Sequence, residues 1–288
     1  MKITDVRALP GDSAFLLDDG TTAILYDSGF GFTADAVAEN VKKQLGDRPL
    51  DYIFLTHSHY DHALGSAHLL QHWPEAVVAA SDYAAAIFAR AGAKRVMREL
   101  DQKCAAAHGA PDYPDRTDSL RVDLPLKDGD RIQAGAMEWT AIALPGHTRC
   151  SMAFYLASEQ LLLSCETLGV YNGGEAVLPS FLVGYRTTLE SIAKAQTFKV
   201  RQFLLPHYGL LDPARTNGYL QTAQKYAVEI AEELAQILRN GGSEAEALAF
   251  FKQKYYTPTV AAIYPVDAME LNTSIMIRLL QQELPIHN

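Results

Sequence analysis

Residues 57–62 read His57-Ser58-His59-Tyr60-Asp61-His62, three imidazoles and a carboxylate within six positions, directly after the apolar run Tyr52-Ile53-Phe54-Leu55. Neutral imidazole and carboxylate are ligands for zinc, iron and manganese, and a strand end holds them rigidly. If the loop stays extended, His57 and His59 point the same way, because side chains repeat every two residues. Asp61 and His62 come where the chain turns, free to face a second ion. One loop that feeds two adjacent ions points to a dinuclear hydrolase. Further candidates also follow apolar runs. His147 lies in Pro145-Gly146-His147-Thr148 after 139–144, and Cys165-Glu166-Thr167 follows 161–164. His207, in Pro206-His207-Tyr208-Gly209, follows 202–205. Side chains placed just past several strand ends are how a rigid scaffold assembles a site from loops.

Positioning those loops requires strands and helices in alternation. Runs 13–17 and 22–26, joined by Asp18-Asp19-Gly20, read as a hairpin. Thr33 caps a helix that carries Val37, Val41 and Leu45 and ends at Gly46. Residues 52–56 form a buried strand, Gly65 starts a short helix closed by Pro74, and 77–80 is another strand. An Ala-rich helical stretch covers 81–109, and 111–118 is a polar excursion. Strands return at 139–144, 152–156, 161–164 and 202–205, with a helix over 189–199 between the last two. From Asn217 the character changes. A long amphipathic helix over 220–238 stops at Gly241-Gly242, Ser243 with Glu246 forms a capping box for a second helix, and 271–284 makes a third. The strand-rich stretches 10–80 and 120–207 predict two packed sheets with outer helices.

Composition removes several function classes. At 288 residues the chain can bury a substantial core. A formal charge of −9 argues against a nucleic-acid surface, which needs clustered Lys and Arg. No run reaches the roughly 18 to 20 apolar residues of a membrane span, and Met1-Lys2-Ile3-Thr4-Asp5 lacks a signal-peptide pattern. Cys104, Cys150 and Cys165 are odd in number and show no disulfide framework. A reducing cytoplasm is the expected location, with a small-molecule substrate as partner rather than nucleic acid or membrane. No pattern in the sequence speaks to oligomeric state.

The His57–His62 loop, the Gly146-His147-Thr148 turn, the acidic residue after the 161–164 strand and the late His207 occur in the order of the metallo-β-lactamase superfamily. The chain resembles that family over about residues 10–210. The resemblance implies an α/β fold, a four-layer αββα sandwich over 1–212. A C-terminal helical appendage over 213–288 would cover the active site, as in glyoxalase-II-like members. It further implies one ion on His57, His59 and His147 and another on Asp61, His62 and His207, bridged by the acidic residue. The family's Gly-Asp is here Cys165-Glu166. Glutamate keeps the charge with one extra methylene, so Glu166 is the expected bridge and Cys165 its rival. Two divalent ions, zinc foremost with iron or manganese as alternatives, acidify a shared water. Asp61, itself a ligand, accepts the proton and is the expected catalytic residue. Asp27 reads either as an outer hydrogen-bond acceptor or as a turn residue. His68 and His72 read as packing or surface groups, His108 and His287 as solvated, and Tyr171, Tyr185 and Tyr208 as wall residues.

A second resemblance, to quinolone-signal response hydrolases, rests on segment order and a few residues in 165–171, 178–181 and 269–274. It implies thioesterase-like cleavage of a small apolar acyl substrate. The expected function is therefore hydrolysis of a small thioester, ester or lactone by hydroxide generated at the metal pair. A phosphodiesterase using the same ions, or a low-turnover regulatory protein on the same fold, are the alternatives. A flavodiiron oxidoreductase is disfavoured, because that group carries Glu where His59 stands.

Overall fold

Strands that are apolar on both faces must be covered on both, and this forces a layered molecule. In the computed structural model, which describes residues 1–286, six strands of the first half lie side by side in chain order. They are β1 (Lys2–Asp5), β2 (Phe15–Asp18), β3 (Ala23–Tyr26), β4 (Tyr52–Phe54), β5 (Val77–Ser81) and β6 (Leu124–Leu126). The first three pair antiparallel; β3 to β6 run parallel. Helices α1 (Ala34–Leu45), α2 (Tyr60–Leu69), α3 (Asp82–Phe88) and α4 (Ala91–Ala107) pack on the outer face of this sheet. His287 lies outside the described residues.

The second sheet uses β7 (Arg131–Ala134), β8 (Met137–Ala143), β9 (Met152–Leu156) and β10 (Leu161–Leu163). A small ribbon of β11 (Val170–Tyr171) and β12 (Val177–Leu178) follows, then β13 (Gln202–Leu205) and β14 (Gly209–Leu210) complete the sheet. Its spatial order is β14-β13-β10-β9-β8-β7, antiparallel except where β10 meets β13. Period-two alternation assigns each side chain to a layer. Phe15, Leu17, Ile24, Tyr26 and Phe54 turn inward to meet Trp139, Phe154 and Leu163, while Leu16, Leu25 and Ile53 turn outward onto the helices. Phe54 stacks on Phe154 at 4.6 Å and meets Trp139 edge-on at 5.8 Å. Behind the second sheet, Ile142, Tyr155, Leu162 and Phe203 pack against α5 (Tyr185–Ala195) and residues that follow α6 (Pro213–Thr216). Four layers, αββα, result.

The first half of α7 (Tyr219–Arg239) belongs to that outer layer through Tyr219, Leu220, Ala223 and Ala227. Its second half joins α8 (Glu244–Tyr255), α9 (Pro258–Ala261) and α10 (Val266–Glu283) around Phe251, Met269, Met276 and Leu280. The Ser243–Glu246 capping box forms as read. Among the described residues no helix is long and apolar enough to cross a membrane.

Three helices depart from the sequence reading. Helix α5 spans Tyr185–Ala195 rather than 189–199, α10 starts at Val266 rather than Leu271, and α2 starts at Tyr60 rather than Gly65. The last shift matters most, because it puts Asp61 and His62 in a helical first turn. Gly65 serves close packing instead of helix initiation. A Cβ there would stand 1.9 Å from the Ser28 carbonyl oxygen, and the Gly65 N–H donates to the Gly29 carbonyl at 3.1 Å. Gly65→Ala is expected to lower stability by about 3 kcal/mol through overpacking. The expected result is a lower urea midpoint at unchanged slope; an unmoved midpoint would show that α2 and the 28–29 loop separate freely.

Candidate metal centre

Four of the candidate ligands follow strand ends of the inner sheets, while His59 caps α2 and Asp61 and His62 lie in its first turn. His57 follows β4, His147 follows β8, Glu166 follows β10 and His207 sits in the turn between β13 and β14. His57, His59, His147 and Glu166 each bring one ligand atom within 4.8 Å of the others, and Asp61, His62 and His207 do the same. Glu166 reaches both sets. Its Oε2 lies 2.6 Å from His147 Nε2, 3.4 Å from His57 Nε2 and 3.7 Å from His62 Nε2, while Oε1 lies 3.5 Å from His207 Nε2. Cys165 points elsewhere, into the core with Ile142, Leu162 and Phe203, and burial pushes its thiol up to about 12. The seven side chains named from sequence therefore converge, and the rival thiol does not.

Hydrogen bonds to the far ring nitrogens fix the tautomers. A carbonyl can only accept, so His147 Nδ1–H donates to Ser180 at 2.8 Å and His207 Nδ1–H donates to Gly11 at 2.9 Å. His62 Nδ1–H donates to Asp27 Oδ2 at 2.8 Å. In its neutral form each of these imidazoles presents a bare Nε2 lone pair inward. His62 Nε2 then faces His207 Nε2 at 3.1 Å, and His147 Nε2 faces His59 Nδ1 at 2.9 Å. His57 Nε2 is buried without a hydrogen-bond partner. In their neutral forms these rings turn lone pairs towards one another, an arrangement that a cation bound between them would relieve. The donor set, imidazole and carboxylate, fits a zinc, iron(II) or manganese ion.

Electrostatics separate the rings into two kinds. Burial, followed by the charges of neighbouring imidazoles, pushes His57 down to about 3, and burial pushes His62 down to about 4 and His59 well below its ordinary value. These rings stay neutral and available as ligands. Glu166 is opposed by burial, yet His147 and the other imidazoles outweigh it and hold the carboxylate well below its usual range. In return Glu166 overcomes burial at His207, holding it up at about 9, and raises His147. Three rings thus stand as neutral donors, while the Glu166 carboxylate draws positive charge onto His207 and His147.

Among described residues, Asp27, Gln160 and His207 are the non-glycine residues with positive φ, and two of these three serve the site. Asp27, at φ 53, accepts from Ser13 Oγ at 2.8 Å, from Thr56 N at 2.8 Å and from His62. Its role as outer acceptor prevails over a turn cap. Asp27→Asn should weaken metal binding at the Asp61–His62–His207 set about 10- to 100-fold, the range for an outer partner. Asparagine tolerates the left-handed backbone, so the fold should persist. Chelator competition measures the effect, and unchanged affinity would remove Asp27 from the site.

The discounted residues stay apart. His68 packs near the Tyr113 ring at 6.2 Å, His72 lies against Trp73, and exposed His108 bonds its own helix at the Cys104 carbonyl. Tyr171 and Tyr208 pack together at 4.6 Å, and Tyr185 belongs to the C-terminal core. Gly11 and Asp12 went unmarked in the sequence, and Ser180 entered only within the 178–181 segment, with no role at the site. They act through main-chain carbonyls or as buried outer partners, and no motif announces such roles.

Residues 10–207 match the family model described as the metallo-beta-lactamase superfamily. A hydroxyacylglutathione hydrolase from Cereibacter sphaeroides is 28% identical over 171 residues, which is 58% of this chain and 52% of that protein. An atrochrysone carboxyl ACP thioesterase from Aspergillus novofumigatus is 27% identical over 172 residues, 59% of this chain and 42% of that protein. The chain thus matches about half the length of these relatives. A crystal structure of a metallo-beta-lactamase family protein from Thermus thermophilus shares the fold, with a TM-score of 0.61 at 22% identity, covering 94% of this chain and 88% of that one. A match over more than half of its length, on the same four-layer fold, places the chain in the metallo-beta-lactamase superfamily.

Proposed function

We propose that this protein is a dinuclear metal-dependent hydrolase that cleaves a small thioester, ester or lactone. One observation carries the reading: two sets of bare donor atoms, with Glu166 in reach of both. His57, His59 and His147 would hold one divalent ion and Asp61, His62 and His207 the other, with Glu166 between. Zinc is the first choice, and iron or manganese suits the same donors. Such ions, when bound, supply Lewis acidity and bring the pKa of a shared water towards neutrality.

The remaining work falls to the chain. Asp61 is the proton acceptor, since its Oδ2 stands at the mouth of the second set, 3.7 Å from His62 Nε2 and 3.9 Å from His207 Nε2, and its side chain remains partly exposed. Asp27, Ser180 and Gly11 lock the imidazoles so that nothing reorients during turnover. Within the 213–288 segment, the part beyond the first half of α7 would serve as the cover. Its Tyr264 phenol, held by Asn272 Nδ2 at 2.6 Å, is pushed up by burial and next by the Glu166 carboxylate, which puts it within electrostatic reach of the site.

The names of the two curated relatives, a hydroxyacylglutathione hydrolase and an ACP thioesterase, support acyl over phosphoryl substrates. Three unpaired thiols suit a reducing cytoplasm, and the acidic chain suits a small-molecule partner rather than nucleic acid. The test is turnover of acyl thioesters, lactones and bis(p-nitrophenyl) phosphate by metal-loaded protein. Cleavage of acyl substrates is expected; cleavage of the phosphodiester alone would overturn the ester reading.

A further inference from the structure

We propose that Arg7 is a positioning residue for the second donor set, holding His207 in the left-handed backbone that aims its imidazole. This rests on the dinuclear reading given above. His207 lies at φ 60 in a reversal so tight that Leu205 pairs with Gly209. A side-chain-bearing residue keeps that conformation only where its surroundings over-determine it. Here they do so at both ends of the residue. The Arg7 guanidinium donates through Nη1 to the His207 carbonyl, and the His207 ring donates to the Gly11 carbonyl.

Arg7 is itself locked. Nη1 also reaches the Pro10 carbonyl at 3.3 Å, Nε and Nη2 donate to the Asp5 carboxylate at 2.9 and 2.6 Å, and the guanidinium lies 4.9 Å from the Phe15 ring centroid. That ring also supports the turn from below, since a Cβ at Gly209 would meet Phe15 at 3.3 Å. Fully buried Asp12 closes the 7–12 loop into one rigid bracket. Its carboxylate accepts from Ala8 N and Leu9 N at 3.0 and 3.1 Å, and from Phe30 N and Thr33 Oγ1 at 3.1 and 2.8 Å. The first donor set does not depend on this bracket: His57 and His59 come from the loop after β4, and His147 is set by Ser180.

Selectivity between the two ions is therefore the readout. Arg7→Met keeps the stem over Phe15 and removes every donor. Zinc titration against a chelator should show one equivalent bound as in the parent and the other weakened about 10-fold or more. Arg7→Lys, which restores one donor, should recover part of the loss. In a His59→Ala background, Arg7→Met should weaken the equivalent that remains by a similar factor. Unchanged binding in Arg7→Met, or equal weakening of both equivalents, overturns the assignment. If Arg7→Met fails to fold, Arg7→Lys decides: a loss confined to one equivalent supports the bracket, and parent-like or uniformly weakened binding overturns it. Parent protein that binds fewer than two equivalents would instead overturn the dinuclear reading, whatever Arg7 does.

Discussion

Replacing His59 with alanine is expected to abolish turnover and to remove at least one equivalent of bound metal. The side chain supplies a nitrogen at 2.9 Å from His147 Nε2, in a set where each neighbouring imidazole has its far nitrogen already committed or its near nitrogen unpartnered. No other side chain can take its place, because His57 and His147 are fully or nearly fully buried and fixed. A missing ligand leaves the first ion with too few donors in an imidazole site. Metal assistance contributes several kcal/mol to the barrier, so the rate should fall on the order of 10³-fold or more. Metal content by elemental analysis and turnover on the best acyl substrate are measured together. Parent-like content and rate would discard the whole ligand assignment.

Whether a site residue is legible in the sequence depends on which of its atoms act. His57, His59, Asp61 and His62 were legible because they crowd one loop, and His147 and His207 because each trails an apolar run. Two packed sheets with outer helices were legible from the strand-rich stretches 10–80 and 120–207, and the four-layer order came with the family resemblance. What escaped were groups whose contribution lies in the main chain or in a lone contact. Gly11 and Ser180 serve the site through carbonyls, which every residue has. Asp12 and Arg7 precede the first strong strand and belong to no periodic pattern. Short strands such as β1, β6 and β14 hold two to four residues, too few to show alternation. Helix α2 was misplaced because the metal loop reads as punctuation, whereas its Tyr60-Asp61-His62 stretch is already the first turn.

Glu166→Gln is the second change expected to have a large effect, and it separates charge from shape. Glutamine keeps the length and one carbonyl oxygen but carries no charge. The native carboxylate stays ionised, because His147 and its neighbours hold its pKa low against burial. The amide therefore removes an anion that faces four imidazole nitrogens at 2.6 to 3.7 Å. Losing an outer partner costs 10- to 100-fold in metal affinity, and if Glu166 is a direct ligand shared by two ions, as proposed, its loss should cost at least about 100-fold for the weaker one. Turnover should fall with it. Glu166→Asp keeps the charge and shortens the reach by one methylene, so it should fall between the parent and the amide. Cys165→Ala should leave metal content at the parent level, since that thiol is fully buried in the core behind the site. Two bound equivalents and full rate in Glu166→Gln, together with metal loss in Cys165→Ala, would hand the bridging position to the thiol.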